Sequence, residues 1–278
     1  DPSFVESVKA QLLSHQREIQ DPWLLGLFVD NEIHWGDICH LARCTIKAPE
    51  DQAAKKEFVK LLKCKYGNIA ALNLAWSAEF ASWDVLMRNR DDVQSGADAD
   101  LKTFNEMIIH KYYGNIHNLF DRYAPGVLYM GCRFASEKTG ANASVLAIGQ
   151  QYCDVISYNI YCHELTGFPF PEGFDKPVIV GEFHFGALDR GLFHAGLVDV
   201  GTQQERGLAY ENYVRSALEH PNFIGTHWHQ FSDQATTGRF DGENLQVGFT
   251  DCCDTPYYET IAHVRKVGYD MYKIRSRE

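Results

Sequence analysis

Two glutamates stand where short apolar runs of the sequence end. Glu32 follows the run 23–29, and Glu182 closes the run 177–182. Such runs suit strands that are buried on both faces of a parallel sheet, and the carboxyl ends of such strands meet at one side of the fold. A facing pair of carboxylates can hydrolyse a glycosidic bond, because one gives a proton to the leaving oxygen while the other attacks the anomeric carbon or activates water. The alternative is that these acids cap helices or pair with arginine.

Strand-like and helix-like segments alternate along the chain. Apolar positions at helical spacing predict helices over 3–20, 53–90, 101–123, 142–151, 203–219 and 256–274. Short apolar runs predict strands over 23–29, 127–133, 154–161, 177–182 and 223–230. Because no internal repeat or Ser/Pro-rich linker interrupts this alternation, we expect an α/β fold of βα units around a parallel sheet, as a single domain over 1–278.

Composition excludes two classes of partner. The formal net charge is −11, from 26 Lys and Arg against 37 Asp and Glu, and no basic cluster is present. A nucleic-acid-binding protein needs the opposite balance to neutralise phosphates. No apolar run reaches the roughly 18–20 residues of a membrane-spanning helix. We therefore expect neither a nucleic acid nor a membrane as partner.

The sequence predicts neither a cofactor nor a metal. The eight cysteines form no C-x-x-C pair, which favours free thiols over a disulfide framework or a zinc site. His227 and His229 form an H-x-H pair that lacks an evident third ligand, so we interpret them as polar residues with protein partners. No glycine-rich phosphate loop is present.

The residues around the two glutamates carry a resemblance to a known family. Asn31-Glu32 at the end of the first predicted strand, with Glu182 three βα units later, resembles the acid/base and nucleophile of the retaining clan of (β/α)₈-barrel glycoside hydrolases. Longer blocks are similar to glycoside hydrolase family 50, the β-agarases, and occur in that family's order from residue 21 to about 258. These blocks are 26–32 with Trp35-Gly36, 154–161, 181–186, 226–230, and Gly238-Arg239 with Gly242-Glu243-Asn244.

The resemblance implies a role for each matched residue. Glu32 would be the general acid/base, Glu182 the nucleophile, and Asn31 a hydrogen-bond partner of the sugar 2-hydroxyl. Tyr158 or Tyr161 would orient Glu182. Further substrate contacts would come from Arg133, Asn159, His184, Trp228 as an aromatic floor, Gln230 and Glu243.

Several of these residues have a structural alternative. Trp228 could belong to the core, the tyrosines could simply belong to the strand pattern, and Arg133 could be a structural ion-pair partner.

The resemblance covers only the C-terminal part of the family's catalytic barrel. It implies a TIM (β/α)₈-barrel type that is incomplete, with about five βα units corresponding to strands 4–8, and with strands 1–3 and any N-terminal accessory domain absent. Open sheet edges in such a chain need a cover. We therefore expect a partial gene product or proteolytic product, a second polypeptide that completes the barrel, or self-association into a homo-oligomer.

The function implied by the resemblance is retaining hydrolysis of β-1,4-galactosidic bonds. The substrate would be a galactan of the agar type or an agaro-oligosaccharide. One alternative keeps the mechanism but acts on another β-galactoside. The other is an inactive, truncated remnant that only binds sugar. By analogy with polysaccharide-degrading enzymes, the protein would be secreted or periplasmic.

Overall fold

A computed structural model describes residues 1–135 and 142–277. The chain divides into two compact units. The first comprises 1–27, 33–129 and 142–153, and the second comprises 28–32, 130–135 and 154–277. Within the described residues, no helix is both long enough and apolar enough to cross a bilayer.

The first unit is mainly helical. Its core is formed by apolar side chains such as Phe58, Leu72, Trp76 and Phe104. A short parallel pair of strands, β1 (Gly26–Leu27) and β2 (Leu128–Tyr129), completes it. Its helices are α1 (Pro2–Ser14), α2 (Gln16–Ile19), α3 (His40–Lys47), α4 (Ala53–Tyr66), α5 (Ile69–Trp76), α6 (Trp83–Arg88), α7 (Asp98–Tyr123) and α8 (Ala143–Gly149).

The helical stretch predicted over 53–90 is three helices, because local capping interrupts it. Helix α4 ends at Gly67, whose φ of +72° favours glycine. Asn68 then accepts a hydrogen bond from the Ala71 amide and begins α5. Ser82 begins α6 in the same way. Helix α3 was not predicted, since it is short and follows a glycine-containing loop.

The second unit contains a four-stranded parallel sheet in the order β3-β4-β5-β6. Its strands are β3 (Phe134–Ala135), β4 (Ile156–Asn159), β5 (Val178–Phe183) and β6 (Phe223–Trp228), with helices α9 (Gln203–Glu219) and α10 (Tyr258–Ser276). All of β4 and nearly all of β5 are buried, which explains their continuous apolar sequence. The predicted α/β class with parallel strands is confirmed.

The strand predicted over 127–133 is interrupted. Gly131 and Arg133 both have positive φ, +74° and +53°, so the backbone leaves the extended conformation between β2 and β3. Inside the second unit, this segment hydrogen-bonds to residues 28–32. The Val29 amide donates to the Gly131 carbonyl at 2.9 Å, and the Glu32 amide donates to the Cys132 carbonyl at 3.1 Å. These bonds hold Glu32 next to Arg133.

Candidate active site

Glu182 lies near the carboxyl end of β5, where its carboxylate meets two strong donors. The Arg133 guanidinium donates to Oε1 at 2.5 Å, and the Tyr161 hydroxyl donates to Oε2 at 2.5 Å. The side chain of Glu182 is 17% exposed, so its charge is largely removed from water and depends on these partners. The two donors fix both oxygens of the carboxylate.

Arg133 is held in place through its backbone and its side chain. Its amide donates to the Ser157 hydroxyl at 2.9 Å, and its guanidinium also reaches the Gly181 carbonyl at 3.2 Å and Asn159 Oδ1 at 3.3 Å. The ring of Phe28 lies 5.3 Å from the guanidinium carbon, a cation–π distance. Arg133 is therefore the partner of Glu182, and its role as an ion-pair residue is visible in the geometry.

Glu32 has a left-handed backbone conformation, with φ at +52°, and its side chain is exposed. Asn159, which is buried at the end of β4, donates from Nδ2 to Glu32 Oε1 at 2.8 Å. The same nitrogen lies 3.3 Å from Asn31 Oδ1. The backbone register shifts between Tyr158 and Asn159 in the pairing with β5, a bulge that changes the direction in which side chains point.

Asn159 and Arg133 link the two glutamates. Asn159 donates to Glu32 with its nitrogen and accepts from Arg133 with its oxygen, while Arg133 donates to Glu182. The chain of contacts therefore runs Glu32–Asn159–Arg133–Glu182. It packs directly over Gly181, where a Cβ would lie 2.7 Å from Asn159 Oδ1 and 2.9 Å from Arg133 Nε. A side chain at position 181 would therefore have to displace Asn159 or Arg133 from this network.

The two candidate tyrosines have different surroundings in the structure. Tyr161 contacts Glu182, and both burial and that carboxylate raise the pKa of its hydroxyl, so Tyr161 keeps its proton and donates. Tyr158 is instead buried among Phe134, Phe168 and Phe170, with ring centroids 5.3, 5.7 and 6.4 Å away. Tyr161 is thus the tyrosine placed to orient Glu182.

A cleft of about 450 Å³ opens in front of these residues. Six of the predicted residues line it, namely Asn31, Glu32, Tyr161, Glu182, His184 and Glu243. The others that line it are His194, Gly196, Leu197, His229, Arg239 and Leu245. Most of this second group lies in irregular loops, and only the H-x-H spacing of His229 and the Gly-Arg pair at Arg239 gave any signal in the sequence.

His184 uses both of its ring nitrogens on backbone groups. Nε2 accepts a hydrogen bond from the Leu197 amide at 2.8 Å, and Nδ1 lies 3.1 Å from the His229 carbonyl. Burial lowers the pKa of His184 to about 4, so the ring is neutral near pH 7. The predicted contact with a sugar hydroxyl would have to replace one of these two bonds.

Trp228 and Gln230 are not among the residues that line the cleft. The Trp228 indole donates to the Val247 carbonyl at 2.8 Å, and its ring stacks on Phe249 with centroids 5.1 Å apart. The buried guanidinium of Arg206 lies 5.5 Å from the same ring. Gln230 donates to the Ser232 carbonyl at 2.9 Å. In these positions both side chains stabilise the loops that follow β6.

Glu243 lies in the cleft beside Arg239. The Arg239 guanidinium is 2.8 Å from Glu243 Oε2, and Gln234 donates to the same oxygen at 2.9 Å. Arg239 also pairs with Asp241 at 2.6 Å. This group of polar side chains offers donors and acceptors of the kind that bind sugar hydroxyls.

Residues 1–135 and 142–277 contain no group of three or more His, Cys, Asp or Glu side chains arranged to hold a metal ion. Of the H-x-H pair, His227 lies 3.0 Å from the Val180 carbonyl through Nδ1, and His229 faces the cleft.

Two glutamates that line one cleft, one of them near the carboxyl end of a parallel strand, are an arrangement that glycoside hydrolases of α/β fold use. Comparison with known proteins agrees. β-Agarase B of Vibrio sp. (strain JT0107) is 37% identical over 294 aligned residues, which cover 100% of this chain and 31% of that protein. No family model matches the chain.

Solved structures give the same result. A crystal structure of an agarase, AgWH50C, superposes with a TM-score of 0.87 at 37% identity, covering 99% of this chain and 41% of the other. A structure described as an exo-β-agarase gives a TM-score of 0.90 at 35% identity, covering 99% and 39%. The chain belongs to the β-agarase-like family, glycoside hydrolase family 50. It spans about 30% of the length of the curated relatives that it matches.

Proposed function

We propose that this chain carries the active site of a retaining glycoside hydrolase that cleaves β-1,4-galactosidic bonds of agar-type chains by double displacement. The network Glu32–Asn159–Arg133–Glu182 at the cleft is the observation that carries this proposal. The relatives named β-agarase supply the class of substrate.

In the first step, Glu182 attacks the anomeric carbon while Glu32 protonates the leaving glycosidic oxygen. Arg133 and Tyr161 both donate to Glu182, which suits an anionic nucleophile whose orientation has to be fixed. Glu32 is contacted by a neutral amide and is exposed in the cleft, which suits a residue that exchanges a proton with substrate and water.

In the second step, Glu32 takes a proton from water, and that water attacks the glycosyl–enzyme bond. Glu182 then leaves as a carboxylate, and the sugar regains its original anomeric configuration. Asn31 lies beside Glu32 with its amide close to Asn159, where it can bind the 2-hydroxyl of the sugar. Glu243 contributes to sugar binding from the loop that follows β6.

We also propose that the four strands of this sheet correspond to strands 5–8 of a (β/α)₈ barrel, with the predicted strand over 23–29 as strand 4. The order β3-β4-β5-β6 with α9 between β5 and β6 supports this architecture. Among the residues that the structure describes, β6 pairs with β5 alone, so a second copy of the chain or another polypeptide can pair with its other edge. Light scattering after size-exclusion chromatography tests this part, since a monodisperse monomer would contradict both modes of association.

Two measurements test the function. The first is incubation of neoagaro-oligosaccharides with the chain, with its Glu182→Gln variant and with Glu172→Gln as an exposed control. We expect cleavage by the parent and the control only, and products that retain the β configuration by NMR. The second is intact-mass analysis after treatment with a 2-fluoro galactoside, with the label expected on Glu182.

Inverted products, or a label on another carboxylate, would contradict the double-displacement mechanism. Absence of both cleavage and labelling would favour the sugar-binding remnant. Cleavage of other β-galactosides but not of agar oligosaccharides would support the proposed mechanism and assign a different substrate to it.

A further inference from the structure

One wall of the cleft is a loop that leaves the sheet directly after β5 and returns to the same place. We call residues 187–199 the cleft loop. At its base, the Gly186 amide donates to the Val198 carbonyl at 3.0 Å, and the Val200 amide donates to the Gly186 carbonyl at 2.9 Å. Within the loop, His194, Gly196 and Leu197 line the cleft. Leu197 is 70% exposed and offers an apolar surface there.

His184 holds the middle of this loop. A backbone amide can only donate, so the 2.8 Å contact from the Leu197 amide requires an unprotonated Nε2. The ring proton is therefore on Nδ1, which donates to the His229 carbonyl at 3.1 Å. His184 is 2% exposed, so loss of either bond would leave a buried polar group without its partner.

The loop approaches the imidazole so closely that it needs a glycine. Gly196 has φ at +79°, and a Cβ there would lie 2.4 Å from Nε2 of His184. Histidine and glycine are therefore matched in shape as well as in hydrogen bonding.

The same imidazole also packs against the tyrosine that orients Glu182. Its ring centroid lies 4.6 Å from that of Tyr161, whose hydroxyl donates to Glu182. His184 thus packs between the residue that orients Glu182 and the loop that forms a wall of the cleft.

We propose that His184 is a positioning residue, which fixes the cleft loop as a wall of the substrate site through its bond to the Leu197 amide. For the nature of the substrate this inference rests on the proposed function. The arrangement of the loop does not depend on it.

Protonation of His184 breaks this arrangement, because a protonated Nε2 faces the Leu197 N–H as a second donor. The ionisable groups around the ring are Tyr161 after β4, Glu182 on β5, His229 after β6, Arg206 on α9 and, in the cleft loop, His194. Burial, the side chain of His229 and Arg206 oppose a charge on the ring and together outweigh the hydrogen bond to the His229 carbonyl, which favours it. The loop is therefore held at neutral pH and is released only in acid.

The test compares His184→Ala, His184→Gln and, as a control in the first unit, His117→Gln on α7, whose side chain is 40% exposed. Hydrogen exchange of the Leu197 amide is the direct measurement. We expect about 100-fold faster exchange in His184→Ala, partial protection in His184→Gln because the amide oxygen can accept the bond, and no change in the control. In the parent, protection of Leu197 should fall as the pH is lowered through about 4.

Kinetics on neoagarotetraose gives the second measurement. We expect His184→Ala to raise KM about tenfold, the effect of about one lost hydrogen bond, while kcat changes less than threefold. Unchanged exchange of the Leu197 amide in His184→Ala would overturn the proposal, as would a loss of kcat alone. The exchange experiment needs no activity, so failure of this proposal can be told apart from failure of the proposed function.

Discussion

Arg133 and Glu182 are 49 residues apart in the chain, yet their side chains meet at 2.5 Å. The contact forms because Arg133 adopts a left-handed conformation just before β3, which directs its guanidinium across Asn159 and Gly181 toward the end of β5. An arginine can make these several contacts at once because its donors form a rigid planar fork.

Arg133→Lys should reduce kcat/KM by roughly 100-fold, since a lysine ammonium cannot contact Asn159, Gly181 and Glu182 together. Arg133→Gln should reduce it further, because Glu182 then loses its cation in a site that is largely shielded from water. The measurement is steady-state kinetics on a neoagaro-oligosaccharide, with the exposed Arg265→Lys as control. Equal activity in the lysine variant and the parent would mean that only the charge matters.

Tyr161→Phe should lower kcat by about 10- to 100-fold, because Glu182 loses the hydroxyl that fixes its Oε2. The matched variant is Tyr158→Phe, which removes a hydroxyl from a ring packed among phenylalanines and should keep activity within about twofold. Thermal unfolding of both variants separates a loss of folding from a loss of catalysis. The reverse ranking would assign the orienting role to Tyr158.

Gly181→Ala should inactivate the site and lower the melting temperature, since the new Cβ would lie within 3 Å of both Asn159 and Arg133. Gly268→Ala is the matched control, because it lies inside α10 and its Cβ would meet nothing within 4 Å. That control should stabilise the protein by up to about 1 kcal/mol, the difference in helix propensity. Differential scanning calorimetry measures both, and an unaffected Gly181→Ala would show that the network can move aside.

Glu211 should make stability dependent on acid pH. It is buried between α9 and α10, where hydrogen bonds from His263 at 2.9 Å and Lys266 at 2.8 Å lower its pKa to about 2. A carboxyl with a lowered pKa stabilises the folded state above its unfolded pKa near 4.5, and this stabilisation is lost as the pH falls toward 2.

Glu211→Gln should therefore lower the free energy of unfolding by about 2 kcal/mol at pH 7, and its difference from the parent should shrink steadily below pH 4.5. Urea denaturation at several pH values measures this. The exposed Glu219→Gln, on the same helix, should show neither effect. A difference that is constant with pH would mean that packing, and not charge, accounts for the loss.

The sequence was most informative where an element carries a continuous pattern. The runs at 154–161, 177–182 and 223–230 contain β4, β5 and β6, because a strand buried on both faces has to be apolar throughout. The same runs located Glu182 and Asn159, whose side chains are linked through Arg133. Which of the two tyrosines contacts Glu182 was left open, because the predicted strand covers both of them, whereas in the structure β4 ends at Asn159 and Tyr161 follows it.

Loops were less predictable, because their conformation depends on single hydrogen bonds. The cleft residues His194 and Leu197 belong to a segment without periodicity, and their placement follows from His184 and Gly196. The same holds for Arg133, which was predicted inside a strand but lies in a break of that strand. For Trp228 the sequence left two alternatives, because an aromatic residue at a strand end has the same pattern whether it packs inside or lines a cleft. In the structure its ring stacks on Phe249.

Glu32 and Arg133 both have a left-handed backbone conformation, which lowers the stability of the fold at two positions that the proposed activity needs. Each costs about 1 kcal/mol relative to a glycine at the same position. A laboratory selection for thermal stability alone would therefore favour Gly or Asn at these two positions. It would remove the Glu32 carboxylate from the cleft and the Arg133 cation from its contact with Glu182. Engineering of a more robust form of this protein has to hold both positions fixed and seek its gains elsewhere, as at Gly268.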